Sequence, residues 1–244
     1  MTALFQLFRK EWRMLWLSPL TYAAWAVFLF VAGLNMWRLL VTGAVESQGG
    51  LMFGSTFFWV GVLAVITALT IPLLAEESRS GTLESLLTAP VADTAVVLAK
   101  FAAAWLTLVV MTLPTLAYLP IASALSLGGD TVAPAALAAG MLVLAVAGAA
   151  YVALGLFVSS LTRRQALAAS VTFPALCTVF FLESLLPLLR HPWARSAVAA
   201  VATAQHVVDA ARGIMDTRPL VLYATVATWF LFATVKVLES RHWR

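Results

Sequence analysis

Residues 57–87, FFWVGVLAVITALTIPLLAEESRSGTLESLL, decide the fold, because a long apolar stretch there gives way abruptly to a short charged one. The apolar part belongs to a charge-free window from Ser47 to Ala75, which exceeds the roughly 20 residues that a helix needs to cross a bilayer core. The charged part, residues 76–87, is the densest cluster of charge in a chain that is 62% hydrophobic and only 11% charged. In so apolar a chain, charge marks a segment that meets water or a partner protein.

Five further charge-free windows resemble this one in length. They are Met14–Trp37, Phe101–Gly129, Thr131–Thr162, Gln165–Leu182 and Pro219–Val235. A charged side chain at the bilayer centre costs at least about 2.5 kcal/mol on insertion scales, so windows of this kind are typical of membrane spans. The sequence therefore predicts an all-α integral membrane protein with six transmembrane helices, in which residues 1–244 form a single membrane domain.

The basic residues that flank the windows predict the orientation of the chain. With the N-terminus inside, ten of the 15 Lys and Arg residues fall on the cytoplasmic side. They are Arg9, Lys10, Arg13, Arg79, Lys100, Arg163, Arg164, Lys236, Arg241 and Arg244. We therefore expect both termini in the cytoplasm of a multi-pass protein of the bacterial cytoplasmic (inner) membrane. The net charge of +4 then reflects topology and not nucleic-acid binding.

Two segments outside the spans are predicted to be helical. Residues 3–16 are amphipathic, which fits a helix in the headgroup plane, although basic residues that merely enforce topology are an equal alternative. Its apolar face holds Phe5, Phe8, Trp12 and Leu15, and its polar face holds Gln6, Arg9, Lys10 and Arg13. The outer segment 188–218 is too polar to span a membrane, and we expect short outer or re-entrant helices there, broken at Gly213.

The charged run itself predicts a docking helix of about two turns over residues 80–88, inside a cytoplasmic loop over residues 76–94. Leu83, Leu86 and Leu87 stand at i, i+3 and i+4, which gives this helix an apolar edge. A helix this short is marginal in water, so a partner surface or the membrane must hold it. An ordinary connecting loop whose leucines dip into lipid explains the same spacing.

The run and two later motifs resemble those of permease subunits of ABC type 2 (ABC-2) exporters. The first motif is EExRxGTLExLLxxPV from Glu76 to Val91, followed by Lys100 at the mouth of the next span. The second begins at His206 and continues through Asp209, Gly213, Asp216 and Arg218, and the third is LExRxW from Leu238 to Trp243. The later motifs are similar to the gliding-motility branch of that family, with GldF-like and NosY-like members.

The resemblance implies a half-transporter whose membrane pathway forms from two copies of the chain, or from this chain and a paralogue. Each half would bind a cytosolic ABC ATPase, which would hold the ATP and magnesium. This chain is expected to need no cofactor of its own. The lysines of the chain do not follow glycines as a P-loop requires, so ATP hydrolysis is expected of the partner. A further partner with a large extracytoplasmic domain is an open alternative.

In that family the short helix after the second span inserts into a groove on the ATPase. The positions that this implies here are Glu76, Glu77, Arg79, Gly81, Thr82, Leu83, Glu84, Leu86 and Leu87. The arginine pair Arg163 and Arg164 lies at the other cytoplasmic turn and is a second candidate contact, although topology alone explains it. No catalytic, cofactor-binding or metal site is expected.

Two other functional classes remain open on sequence grounds. One is a non-transporting scaffold or energy-transmitting subunit of an ATPase-driven envelope complex, which the sequence barely separates from an exporter. The other is an intramembrane protease, suggested by Glu76-Glu77 with Arg79 nearby. That chemistry needs histidines at the same site, whereas His191 and His206 are predicted outside and His242 lies at the C-terminus. Cys177 is the only cysteine, which leaves no disulfide framework.

Overall fold

The computed structural model describes residues 2–41, 52–80, 92–118, 121, 134–162 and 164–241, with residues 2, 3, 76–80 and 241 described by their backbone alone. In these ranges every regular element is helical. The α-helices are α1 (Thr2–Leu17), α2 (Pro19–Val41), α3 (Thr56–Ser80), α4 (Asp93–Thr112), α5 (Pro134–Leu161), α6 (Gln165–Phe181), α7 (Pro192–Ala200), α8 (Thr203–Ala211) and α9 (Thr217–Arg241). Short 3₁₀ segments, Leu113–Ala117 and Leu182–Leu185, extend α4 and α6.

The structure confirms the six predicted membrane spans. Helices α2, α3, α4, α5, α6 and α9 are each long and apolar enough to cross a bilayer. Helices α3, α4 and α5 bury most of their surface against the rest of the chain, whereas α2, α6 and α9 bury about a quarter of theirs. The first three therefore form the centre of the bundle, and the other three present apolar faces to their surroundings.

Helices α3 and α5 organise the packing. Helix α3 contacts α2, α5 and α6, while α5 packs along α9 and supports α8. The core around α3 is aromatic, since Trp59 is fully buried, donates its Nε1–H to the carbonyl of Phe53 at 2.7 Å and stacks on Phe180 with 5.3 Å between ring centroids. A buried indole needs such a hydrogen-bond partner, and here it fixes the outer end of α3.

Small residues on α5 allow the central helices to approach closely. A Cβ atom added at Gly148 would lie 2.8 Å from Leu108 Cδ2 of α4, and one added at Gly155 would lie 2.9 Å from Thr70 Cβ of α3. Carbon atoms do not approach to these distances. At Gly155 the neighbouring β-carbon is fixed to its backbone, so only glycine fits there, whereas at Gly148 the flexible end of Leu108 would have to shift. The glycines of α5 therefore form the close-approach face that small residues provide in membrane helices.

The outer segment forms two short helices, α7 and α8, which confirms the prediction of short helices there. The chain breaks at Val201 and Ala202, and the Glu183 carboxylate lies near the backbone N–H groups of Ala204 and Gln205. A carboxylate at this position is favoured electrostatically by the first turn of α8. The predicted break at Gly213 is confirmed, because Gly213 has a φ of 89° and ends α8.

Candidate functional site

The predicted docking segment joins α3 to α4 at the cytoplasmic end of the bundle. Glu76, Glu77 and Arg79 fall in the last turn of α3, whose helical backbone continues to Ser80, beyond the predicted start of the loop. The remaining positions lie outside the described residues, as does the helix predicted for them. They are Gly81, Thr82, Leu83, Glu84, Leu86 and Leu87.

Both helices that carry this segment are anchored in the core directly beside it. Leu74 and Ala75 at the cytoplasmic end of α3 are almost completely buried, as are Val96 and Val97 in the first two turns of α4. Ala92 precedes α4 in an extended conformation, with φ −66° and ψ 137°, so the helix begins sharply at Asp93. The segment between them is therefore tied at each end to a central helix of the bundle.

A buried ion pair joins α4 to the N-terminal helix α1. Lys100 Nζ lies 3.0 Å from Glu11 Oε2, and the two side chains are 1% and 5% exposed. A charge buried to this degree requires an opposite charge at hydrogen-bond distance. The sequence had placed Lys100 at the mouth of this span but assigned no role to Glu11, because the pair is separated by 89 positions and no local pattern connects them.

Helix α1 has the two faces that the sequence predicts except at Phe5, which was expected on the apolar face and is 62% exposed. Phe8 and Trp12 pack on the hydrophobic core, and Leu15 is buried. Arg9, Lys10 and Arg13 are exposed, as is Phe5. The apolar face is used against the protein, since α1 packs mainly along α4. A position of α1 in the headgroup plane remains a prediction.

The second candidate contact lies at the tight turn between α5 and α6. Arg163 is outside the described residues, and Arg164 is exposed. The backbone N–H of Arg164 donates to Thr162 Oγ1 at 3.2 Å, which holds this residue extended ahead of α6. Arg164 thus stands at the same end of the bundle as the last turn of α3.

At the outer end, a polar cluster connects α5, α8 and α9. The hydroxyl groups of Tyr151 and Tyr223 lie 2.8 Å and 3.2 Å from Thr203 Oγ1, and His206 Nδ1 lies 2.8 Å from the Tyr223 hydroxyl. Burial lowers the pKa of His206, although Asp209 and Asp216 act in the opposite direction. Neutral His206 is therefore favoured, and the cluster fixes the outer helices without a charge.

A small cavity of about 130 Å³ opens beside this cluster. It is lined by Val143, His206, Asp209, Ala210, Ile214, Asp216 and Pro219. Among the described residues, no group of three His, Cys, Asp or Glu side chains is arranged to hold a metal ion. Of the two carboxylates, Asp209 accepts from Gln205 through Oδ1, and Asp216 accepts from the backbone N–H of Arg218 through Oδ1.

The geometry separates His206 from the glutamate pair that suggested a protease. His206 lines a cavity with Val143 of α5, whereas Ser159 of α5 contacts α3 at Ala75, directly before Glu76. Sixteen residues of helix between Val143 and Ser159 span about 24 Å. A histidine and these glutamates at opposite ends of such a distance do not share an active site.

A comparison with protein families gives one match over almost the whole chain. The family described as ABC-2 family transporter protein matches residues 6–241. Comparison with curated proteins gave no match. The matched region contains all six apolar helices, and the family implies a cytosolic ATPase as partner. The chain therefore belongs to the ABC-2 transporter family, as the multi-pass membrane component of an ABC transporter.

Proposed function

We propose that this permease forms the translocation pathway of an exporter as a dimer and couples to a separate cytosolic ATPase through the segment 80–88. In this proposal Glu76, Glu77 and Arg79 lie directly before this segment. Leu83, Leu86 and Leu87 provide the apolar edge that enters the ATPase groove, and Glu84 stands among them. The ATPase holds ATP and magnesium, and the permease itself catalyses no reaction.

The attachment of the segment to the two central helices carries this proposal. Leu74 and Ala75 before it and Val96 and Val97 after it are buried in one core. A force on the intervening residues therefore acts on α3 and α4 together. Because packed cores are bistable and do not deform continuously, such a push moves helices as bodies.

The ion pair extends the same body to α1. Since Lys100 stands two turns into α4 and binds Glu11, α1 follows any displacement of α4. Arg9, Lys10 and Arg13 on its exposed face would move with it. The energy for this movement must come from the ATPase, because ATP shifts the equilibrium only by its preference for the closed ATPase state.

Some features of the proposal rest on the resemblance and on no contact described above. These are the gliding-motility branch, the choice between two copies and a paralogue, and a partner with a large extracytoplasmic domain. Arg164 supports a second ATPase contact only by its exposure at the cytoplasmic end, together with Arg163 in the same turn.

Copurification with the ATPase tests the docking segment. The tagged chain is coexpressed with the proteins encoded beside it, extracted in mild detergent and assayed for bound partners and ATP hydrolysis. We expect a stoichiometric P-loop ATPase that is lost or strongly reduced in Leu86→Ala, because that change removes apolar contact area from a short helix that depends on its partner. Glu84→Lys should weaken assembly as well.

The matched control is Leu188→Ala, which removes an equally large side chain that is 75% exposed in the outer segment. It should retain the ATPase at the wild-type level. Unchanged assembly and ATP hydrolysis in both Leu86→Ala and Glu84→Lys would contradict the docking assignment. A chain that stays folded and alone would instead favour a scaffold.

A further inference from the structure

Helix α3 has an irregular hydrogen-bond ladder in its cytoplasmic half. Pro72 has no N–H, so the carbonyl four residues earlier loses its usual helical donor. Thr67 and Thr70 donate their hydroxyl groups back to Leu63 and Ile66, at 2.7 Å and 2.9 Å. Prolines and back-bonded threonines are both established causes of helix bending.

On either side of Pro72, the backbone of α3 forms hydrogen bonds with a side chain of another helix. Ser159 Oγ of α5 donates to the carbonyl oxygen of Ile71 at 3.0 Å and accepts from the backbone N–H of Ala75 at 3.2 Å. Residues 71 and 75 are the pair that an uninterrupted α-helix joins directly. The Ser159 hydroxyl therefore forms hydrogen bonds with both backbone groups of that pair.

The bridge exists because the two helices are unusually close. Gly155, one turn before Ser159 on α5, lies against Thr70, where even a Cβ atom would collide. Ser159 is 1% exposed and Ala75 is fully buried, so water does not compete for these bonds. In an apolar interior, an unsatisfied backbone group is costly, and Ser159 offers a donor and an acceptor to Ile71 and Ala75 if the helix bends between them.

We propose that α3 has a hinge at residues 71–75, at which Ser159 keeps the backbone satisfied while the cytoplasmic end of the helix pivots. The hinge lies directly before Glu76, where the docking segment begins. It lets a push by the ATPase rotate the last turns of α3 relative to its outer half, in which Trp59 is buried in the core. This inference rests on the proposed function, because the docking segment delivers the force.

Ser159 is a positioning residue in this scheme, and its removal should stiffen α3. In Ser159→Ala the groups of Ile71 and Ala75 have only each other as partners, so the ladder closes. Pro72→Ala should act in the same direction, because it returns an N–H to the helix. Thr107→Val is the matched control, since Thr107 is fully buried but donates only to Ala103 of its own helix.

The movement is measured between spin labels at Ser80 and Ser240, in a Cys177→Ala background, with the permease bound to its ATPase in nanodiscs. Ser240 is exposed on α9, which packs along α5 and serves as the fixed reference. The ATP-dependent change in distance should fall to about half or less of the wild-type value in Ser159→Ala and Pro72→Ala. It should be unchanged in Thr107→Val, with ATPase copurification retained throughout.

The outcomes separate the hinge from the function on which it rests. Intact assembly, with the same ATP-dependent change in Ser159→Ala and Pro72→Ala as in wild type, overturns the hinge alone. Intact assembly with no ATP-dependent change in wild type also overturns it. Failure of the wild-type chain to bind any ATPase overturns the proposed function and the hinge together.

Discussion

At the scale of single residues, the fold carries an electrostatic cost at the Glu11–Lys100 pair, because both charges are buried. Each charge loses its hydration on burial, and the partner at 3.0 Å compensates for that loss. Another ion pair, Lys236 with Glu239 on α9, is shorter at 2.7 Å but roughly half exposed. Water screens the exposed pair, so its contribution to stability is small even though its geometry is as good.

We expect Lys100→Met to destabilise the protein strongly, because the buried Glu11 then keeps only the exposed Lys10, 3.8 Å away, as a charged partner. Breaking a buried pair from one side costs about 3–5 kcal/mol. Adding Glu11→Gln to Lys100→Met should restore much of the loss, since no buried charge then remains. Thermal unfolding of the purified variants in detergent measures both effects, with the double variant unfolding at a higher temperature than Lys100→Met.

Lys236→Met is the control, because it makes the same substitution in the exposed pair. Its effect should stay within about 1 kcal/mol. Equal shifts of the melting temperature in Lys100→Met and Lys236→Met would contradict the importance of burial. So would a double variant no more stable than Lys100→Met.

The sequence predicted the helix over residues 3–16 and its two faces, but not the partner of the buried face. Phe8, Trp12 and Leu15 recur at helical spacing, which is a local signal and therefore visible in the sequence. The inward turn of Glu11 depends on a lysine 89 positions away. Glu11 is buried, unlike other charges near a membrane span, only because α1 packs on α4.

At the scale of elements, the contact between α3 and α5 depends on glycine. Gly155 permits a separation at which Thr70 touches the α5 backbone, and the Ser159 bridge follows from that separation. The threonine hydroxyl is already used, since Thr70 donates to Ile66 in its own helix. The α3–α5 interface therefore depends on close packing at Gly155 and on hydrogen bonds of Ser159, one turn later.

Gly155→Ala should destabilise the protein, although alanine favours helices. The new Cβ would lie 2.5 Å from Thr70 Oγ1 and 2.9 Å from Thr70 Cβ, and a β-carbon is fixed to its backbone. Overpacking of this kind typically costs about 1–3 kcal/mol. Thermal unfolding measures the loss, and adding Thr70→Ala should recover part of it by removing the colliding Oγ1 and Cγ2 atoms.

Gly33→Ala makes the same change on α2, where the nearest atom, the Tyr118 hydroxyl oxygen, would be 3.6 Å away. This is an ordinary contact distance, so the helix preference for alanine should leave Gly33→Ala neutral or slightly stabilising. If Gly155→Ala were as stable as Gly33→Ala, the close approach of α3 and α5 would not be tight.

The spans could be predicted from sequence because a bilayer imposes length and apolarity on each helix separately. The position of the break between α7 and α8, at Val201 and Ala202, could not. Residues 196–211 are compatible with one helix by composition, so the sequence alone does not place the break.

At the scale of the whole molecule, the two ends of the bundle are built for different tasks. The end predicted to face the cytoplasm holds the last turn of α3, the Glu11–Lys100 pair, Ser159 and Arg164. The opposite end is held by hydrogen bonds among the Tyr151, Thr203 and Tyr223 hydroxyl groups. Movement introduced at the first end therefore reaches a network that fixes how the outer helices sit.

This division requires that both termini face the cytoplasm, as the distribution of Lys and Arg predicts. In a Cys177→Ala background, Ser196→Cys on α7 and Ser240→Cys on α9 each place one thiol at an exposed position. A membrane-impermeant maleimide should label Ser196→Cys in intact spheroplasts and Ser240→Cys only after permeabilisation. Equal labelling after permeabilisation controls for thiol reactivity. The reverse pattern in intact spheroplasts would invert the molecule and place the docking segment on the side without ATP, so the coupling proposal would fail with the topology.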